Sequence, residues 1–347
     1  MRASMSQSDG FLNHDGPPRD AWQATWDALA GASSLVVVTH ANPDADGVAS
    51  LLAVTTVLTS RGKQVQAAVA DGTLPDTLRF LPGADTLRAP EDLALGPDDL
   101  LVLVDCADEP RLGPLYRAHP EWFDGTHRMV NIDHHVTNTR FGAINLIDPA
   151  AAATCEVLAV LFLEMGVPID AALATCLLAG IEGDTLGLRT PSTTSRTLRV
   201  AAELLDRGAD LDTIVDYLFR VKPFSTIRLW GNVLSRAVWT GDIVWSEITP
   251  EMLAESGATA AEGEGIVNFL AGTRGALVGA LFYQQADGWR VSLRSIREDV
   301  DVAEIARLYG GGGHSRAAGC RVPPGIEARD RFLRDVAGYL AGISAAR

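Results

Sequence analysis

Three short, largely apolar runs limit what this chain can fold into. Leu35-Val-Val-Val38, Leu100-Leu-Val-Leu-Val104 and Arg128-Met-Val-Asn-Ile132 each give way within two residues to an acid or an imidazole: His40, Asp105 and Asp133. Runs that do not alternate with polar residues read as strands buried on both faces, the habit of parallel sheets. In open α/β sheets, ligands collect at the carboxyl ends of strands. Three such ends in successive parallel strands would therefore gather their acids and imidazoles along one sheet edge. After the first run comes His40-Ala-Asn-Pro-Asp-Ala-Asp-Gly47, then Val48, Leu51, Leu52, Val54, Thr55 and Leu58 at helical spacing. The order is strand, loop, helix.

The rest of the first half keeps the α/β alternation. Trp22, Trp26 and Leu29 mark a helix over 21–30, and 64–70 reads as a further strand. Helices are expected over 154–165, 171–181 and 194–206, the second running into Glu182-Gly-Asp184-Thr185. Helices over 212–221 and 226–238, broken at Lys222-Pro223, bridge to a second unit in which strands (243–248, 276–283, 289–295) dominate. Asp287-Gly288 is a hairpin turn signal. Residues 302–309 read as a helix that meets Gly310-Gly-Gly-Gly-His314, and 328–340 as a closing amphipathic helix. The expected organisation is a tail over 1–19, a parallel-sheet α/β domain with flanking helices over 20–210, a helical linker over 211–240 and a smaller α/β domain over 241–347. A length of 347 residues agrees with two domains.

Charge narrows the partners. Lys and Arg number 29 against 44 Asp and Glu, a net charge of −15. Long duplexes are gripped through many phosphates by basic faces, and this chain has no basic run. A small or short phosphate ester suits it better, with positive charge supplied by bound cations and a few placed Arg or His. No apolar run is long enough to span a bilayer, and residues 1–19 lack the apolar core of a signal peptide, so a cytoplasmic location is expected. The cysteines, Cys106, Cys155, Cys176 and Cys320, lie far apart with no CxxC pair. That spacing speaks against a zinc ribbon or a disulfide framework. Cys106, beside Asp105, is a minor candidate for a thiol ligand.

The candidate ligands are His40, Asp44, Asp46, Asp105, Asp133, His134, His135 and Asp184. Imidazoles and carboxylates without thiolates suit a pair of borderline-hard divalent ions such as Mn²⁺. Two such ions can clamp both the attacking and the leaving oxygen of a phosphoryl displacement. The plainer alternative for Asp44 and Asp46 is that they cap the following helix, and for Asp184 that it is a turn residue. The residues alone neither divide the ligands between two ions nor separate His134 from His135. In the glycine run, consecutive glycines let backbone N–H groups close around an anion, with His314 as an added donor. A flexible turn is the alternative there.

These motifs resemble those of a known family. His40-Ala-Asn-Pro-Asp-Ala-Asp46, Val104-Asp105, Asp133-His-His135 and Gly183-Asp-Thr185 are similar to the four motifs of the DHH phosphoesterases, and 310–319 resembles the signature of their companion DHHA1 domain. The match runs from 35 to 320. It implies a DHH catalytic domain over 20–210 and a DHHA1 substrate-binding domain over 241–347. It also implies that His40, Asp44 and Asp105 hold one metal, and Asp46, Asp105, His134 and Asp184 the second, with Asp105 bridging. The catalytic residues would be Asp133, orienting the imidazoles, and His135, facing the substrate phosphate. Arg294, Ser295, Gly312, Gly313 and His314 would contact substrate. The cofactors would be two divalent ions, Mn²⁺ first, with Mg²⁺ or Co²⁺ as alternatives.

A compact two-domain chain is similar to the NrnA-type members of that family. That likeness implies hydrolysis of short oligoribonucleotides (nanoRNA, pApA) to mononucleotides, and of 3′-phosphoadenosine 5′-phosphate (pAp) to AMP, by a two-metal-activated hydroxide. The implied partners are short single-stranded RNA, dinucleotides and pAp, with no membrane and no long duplex; a homodimer is allowed. Gly47 directly after Asp46, with Ala49 in the later glycine place, is instead the order of the RecJ exonucleases. The alternatives are thus a RecJ-like single-strand exonuclease, a cyclic-di-AMP phosphodiesterase and, from another class, an inactive nucleotide-binding module.

Overall fold

The computed structural model describes residues 16–345, so most of the expected tail lies outside the described residues. Two compact units divide between Val221 and Lys222. The first contains α1 (Arg19–Gly31), β1 (Ser34–Thr39), α2 (Ala45–Ser60), β2 (Gln64–Val69), β3 (Leu100–Val104), α3 (Pro114–Ala118), β4 (Arg128–Asp133), β5 (Ile144–Ile147), α4 (Thr154–Glu164), α5 (Ala171–Asp184), α6 (Ser195–Asp206) and α7 (Leu211–Val215). Its sheet is parallel throughout, in the order β2-β1-β3-β4-β5. The apolar runs have the physical cause inferred for them. Leu35, Val37, Leu100, Val102 and Val104 point into a core shared with the main helices, whereas Val36, Val38, Leu101 and Leu103 pack on the other face with Leu112, Leu115 and Trp122.

The strand order places the site. β1 and β3 are neighbours, but β1 leads away to β2 on one side and β3 to β4 on the other. The connections that leave their carboxyl ends diverge, which opens a crevice at that point. His40 follows β1 and Asp105 follows β3, so both arrive there.

The second unit contains α8 (Phe224–Ser235), β6 (Val238–Thr240), β7 (Ile243–Ile248), α9 (Pro250–Ser256), α10 (Ile266–Ala271), β8 (Val278–Gln285), β9 (Gly288–Arg294), α11 (Val302–Arg307), β10 (Gly312–His314), β11 (Ala317–Val322) and α12 (Ile326–Ala345). Its sheet runs β10-β11-β9-β8-β7-β6, with only β7 and β8 parallel. Gln285 pairs with Gly288 across the two-residue hairpin that Asp287-Gly288 announced. The stretch 211–240 divides between the units. Ile214 of α7 is buried in the first core, and Leu229 and Val233 of α8 in the second, so the break is confined to 221–223.

Candidate metal centre

His40 and His134 are held in the same way. His40 Nδ1 lies 2.9 Å from the Ala41 carbonyl and His134 Nδ1 3.3 Å from that of Ala151. A carbonyl only accepts, so each ring donates from Nδ1 and turns Nε2 into the crevice. Both Nε2 atoms are buried without a well-formed hydrogen bond. They face carboxylates instead: His40 Nε2 is 3.4 Å from Asp105 Oδ2 and 3.9 Å from Asp44 Oδ1, and His134 Nε2 is 3.1 Å from Asp184 Oδ2 and 3.9 Å from Asp105 Oδ1. A ring nitrogen this close to carboxylate oxygens is held by a shared proton or by a cation between them, and the carboxylates around His134 favour positive charge at that point. With Nδ1 anchored on a backbone carbonyl, this is how metal-binding imidazoles are oriented. The donor set therefore fits divalent cations.

The carboxylates arrive by separate routes. Asp105, left-handed at φ +56° and almost fully buried, ends β3 and turns its side chain into the crevice. Asp44 is the N-cap of α2 and accepts the Gly47 amide at 3.0 Å. The capping alternative is thus true of Asp44, and it sits beside His40 as well. Asp46 is fully buried, its oxygens accepting the Thr154 and Cys155 amides at 2.6 and 2.9 Å. It supplies the cap that α4 lacks from its own N-cap residue, Ala153. Asp184, the last residue of α5, stays partly exposed. The donor atoms of His40, Asp44 and Asp105 lie within 4.8 Å of one another, as do those of Asp46, His134 and Asp184.

Asp133 does something different. Its Oδ1 accepts His134 N at 2.8 Å and His135 Nδ1 at 2.7 Å, and its Oδ2 accepts Asn138 Nδ2 at 2.6 Å. It anchors the His134 backbone and the His135 ring. His135 Nε2 then meets Arg111 Nη1 at 3.2 Å. The field of the site is polarised: burial would push Asp105 up, yet His40, His134 and His135 hold it down at about 2. His134, which burial would lower, is raised to about 10 by Asp184, Asp46 and Asp105. Burial and the neighbouring Asp105 and Asp184 raise Asp46 well above its ordinary value. Gly47 is required beside this cluster, because a Cβ there would stand 2.7 Å from Thr39 Oγ1 and 3.2 Å from His40 Nε2.

Residues 34–181 match the model described as the DHH family, N-terminal domain, and 243–342 that of the DHHA1 domain. The bifunctional oligoribonuclease and PAP phosphatase NrnA of Thermus thermophilus is 35% identical over 316 residues, spanning 88% of this chain and 92% of that protein. The chain belongs to the DHH/DHHA1 phosphoesterase family. A second relative of the same printed name, from Bacillus subtilis, is 26% identical over 87% of this chain and 93% of its own. Among solved structures, an exopolyphosphatase-related protein of Bacteroides fragilis shares the fold at a TM-score of 0.87 and 23% identity, over 96% of this chain and 100% of that one. RecJ of Thermus thermophilus, solved with Mn²⁺, gives a TM-score of 0.50 and 16% identity over 93% of this chain and 54% of its own.

In the DHHA1 unit, Trp289, Val291 and Leu293 of β9 face a buried core shared with α11 and α12, which leaves Arg290, Ser292 and Arg294 on the opposite face. Arg294 pairs with Ala317 and Ala317 with His314, so Arg294 and His314 share that face two strands apart. Ser295 is not on it: it is buried, its hydroxyl donating to Leu277 O at 2.8 Å and accepting from Arg297 N at 3.1 Å. The glycine run is mostly closed to an anion. Gly310 and Gly311 donate to Arg307 O and Ala306 O, and a Cβ on Gly311 or Gly313 would collide with β11. Gly312 alone of these last three has open space where a side chain would stand.

Sequence reasoning passed over Arg111, Thr154 and Asn138. Arg111 lies in a 3₁₀ turn, Glu109–Leu112, that no periodicity marks. Thr154, a hydroxyl opening an apolar helical run, carried the one usable signal.

Proposed function

We propose that this chain is a metal-dependent phosphodiesterase and phosphatase, hydrolysing short single-stranded oligoribonucleotides such as pApA to mononucleotides and pAp to AMP. The observation that carries the reading is the pair of buried ring nitrogens, His40 Nε2 and His134 Nε2, turned onto carboxylates with no well-formed hydrogen bond of their own. The named activity of the Thermus relative over almost the whole chain supports the substrate class. His40, Asp44 and Asp105 would hold one cation, and Asp46, Asp105, His134 and Asp184 the other, Mn²⁺ before Mg²⁺ or Co²⁺. When bound, the cations supply Lewis acidity to a phosphate oxygen and lower the pKa of water.

The chain's own residues orient the ester. Asp133, fixed by Asn138 and the His134 amide, would orient the His135 ring beside the phosphate. In the second unit, Arg294 and His314 would contact substrate, with Gly312 leaving room beside them. Hydrolysis adds a water oxygen to phosphorus, breaks the P–O ester bond and returns a proton to the leaving oxygen. A net charge of −15 and a few placed cations favour a short substrate over a duplex. No helix among the described residues is long and apolar enough to cross a membrane, and we place the enzyme in the cytoplasm, with a homodimer permitted.

One observation favours a second reading, a RecJ-like exonuclease: Gly47 follows Asp46 directly. Turnover of pAp, pApA, cyclic-di-AMP and a single-stranded 24-mer, measured side by side with Mn²⁺, ranks the readings. Preference for pApA and pAp is expected. Preference for the 24-mer moves the assignment to the exonuclease, preference for cyclic-di-AMP to a cyclic-dinucleotide phosphodiesterase, and no turnover of any leaves only a binding module.

A further inference from the structure

We infer that Arg111 binds the phosphoryl group under attack: its guanidinium, which rests on His135 Nε2, takes non-bridging oxygens of the scissile phosphate. The inference rests on the phosphoesterase reading above. Arginine carries only donors, so at the 3.2 Å contact between Nη1 and His135 Nε2 the ring nitrogen is the acceptor. The ring proton therefore sits on Nδ1, which donates to Asp133 Oδ1. Asp133, His135 and Arg111 form a single chain of hydrogen bonds with its cationic end at the site. Among the described residues no carboxylate lies within ion-pair distance of this guanidinium. A half-buried cation with one neutral acceptor retains most of its five donors, in the forked geometry that matches phosphate oxygens.

The position is built rather than incidental. Asp108 Oδ1 accepts the Arg111 amide at 3.1 Å and caps the turn. The Arg111 carbonyl accepts the Ala41 amide at 2.9 Å, next to His40. Leu112 is fully buried, and Gly113 (φ +54°) lies so close to Ala41 that a Cβ on it would be 3.1 Å from the alanine methyl. The backbone of Arg111 is thus fixed to the loop that carries His40, and its side chain to the loop that carries His135. A mere brace between the two loops would need the same backbone contacts but no charge.

The experiment compares wild type, Arg111→Ala and Arg111→Lys with Mn²⁺ and pApA. Calorimetry follows Mn²⁺ affinity and the affinity of the Mn²⁺-loaded proteins for AMP. Absence of wild-type turnover overturns the phosphoesterase reading itself. Given turnover, Arg111→Ala should lose on the order of 10²–10³-fold in kcat/KM, the loss typical of removing one charge-stabilising donor. AMP affinity should fall and Mn²⁺ affinity hold. Arg111→Lys, or guanidinium ion added to Arg111→Ala, should restore part of the rate. Mn²⁺ affinity that falls in step with activity, with no rescue by either cation, makes Arg111 a brace and overturns the inference. So does an Arg111→Ala enzyme of undiminished rate.

Discussion

Thr154 and Asp105 are joined by a 2.9 Å hydrogen bond from hydroxyl to carboxylate, and the Thr154 amide donates to Asp46 at 2.6 Å. One residue at the start of α4 therefore fixes two of the buried acids of the centre. Thr154→Val keeps the amide and the shape but removes the hydroxyl. Groups that orient metal ligands typically contribute about 10–100-fold in metal affinity or activity, so Thr154→Val should lose Mn²⁺ affinity in that range, measured by calorimetry. Thr154→Ser should stay near wild type. Equal affinity in all three proteins would detach Thr154 from the site.

Four carboxylates crowded at one sheet edge repel one another until cations arrive. Mn²⁺ at about a hundredfold above its dissociation constant should stabilise the protein by about 2.7 kcal/mol, read as a rise in Tm. Chelation should reverse the rise and abolish turnover. Asp105→Ala, which removes the acid proposed to bridge the two cations, should show neither the stabilisation nor the activity. A Tm indifferent to Mn²⁺ would count against a cation site there.

Arg196 of α6 is buried between two acids, 2.5 Å from Glu156 Oε1 and 2.7 Å from Asp148 Oδ2. Glu156 also accepts the Ala152 amide, so this network fixes the loop whose Ala151 carbonyl orients His134. Removing one partner from a buried charge network leaves the others uncompensated and costs about 3–5 kcal/mol. Arg196→Ala should lose that much in denaturant unfolding. The surviving folded fraction should bind Mn²⁺ more weakly. A loss confined to stability would show that the loop holds its shape without the network.

Glu262 in the second unit accepts from Ser225, Thr226 and Thr259. Those donors hold its carboxyl down at about 2 from an ordinary 4.5. A depressed carboxyl stabilises the folded state fully above its unfolded value, and that contribution disappears as pH falls through the folded one. Wild type should therefore melt above Glu262→Gln at neutral pH, the gap closing between pH 4.5 and 2. A gap that does not change with pH would mean that packing, not charge, decides this contact.

The catalytic half of the molecule was legible because its signals are local. A strand buried on both faces declares itself by unbroken apolar residues, and an acid after it is visible at once. β5, β6, α9, β10 and β11 gave no such pattern. β5 is a four-residue edge strand, half of it only partly buried, and β10 is Gly-Gly-His, of low strand propensity in itself. The glycines of 310–313 looked like an anion cradle, whereas Gly311 and Gly313 are needed so that this stretch can approach β11. Arg111 and Asn138 were hidden for another reason: their roles come from contacts with residues 24 and 5 positions away that only the fold brings together.

The amino terminus of α4 has a final consequence. Many nucleotide-binding folds turn such an end toward the ligand, where free amides attract phosphate. Here Asp46 occupies the first two amides, so the helix steadies an anion of the protein's own. Without divalent ions the acids of the crevice should therefore repel nucleotide phosphates. Occupancy by substrate should then be conditional on loading with metal, so that an ion-depleted molecule neither cleaves short RNA nor sequesters it.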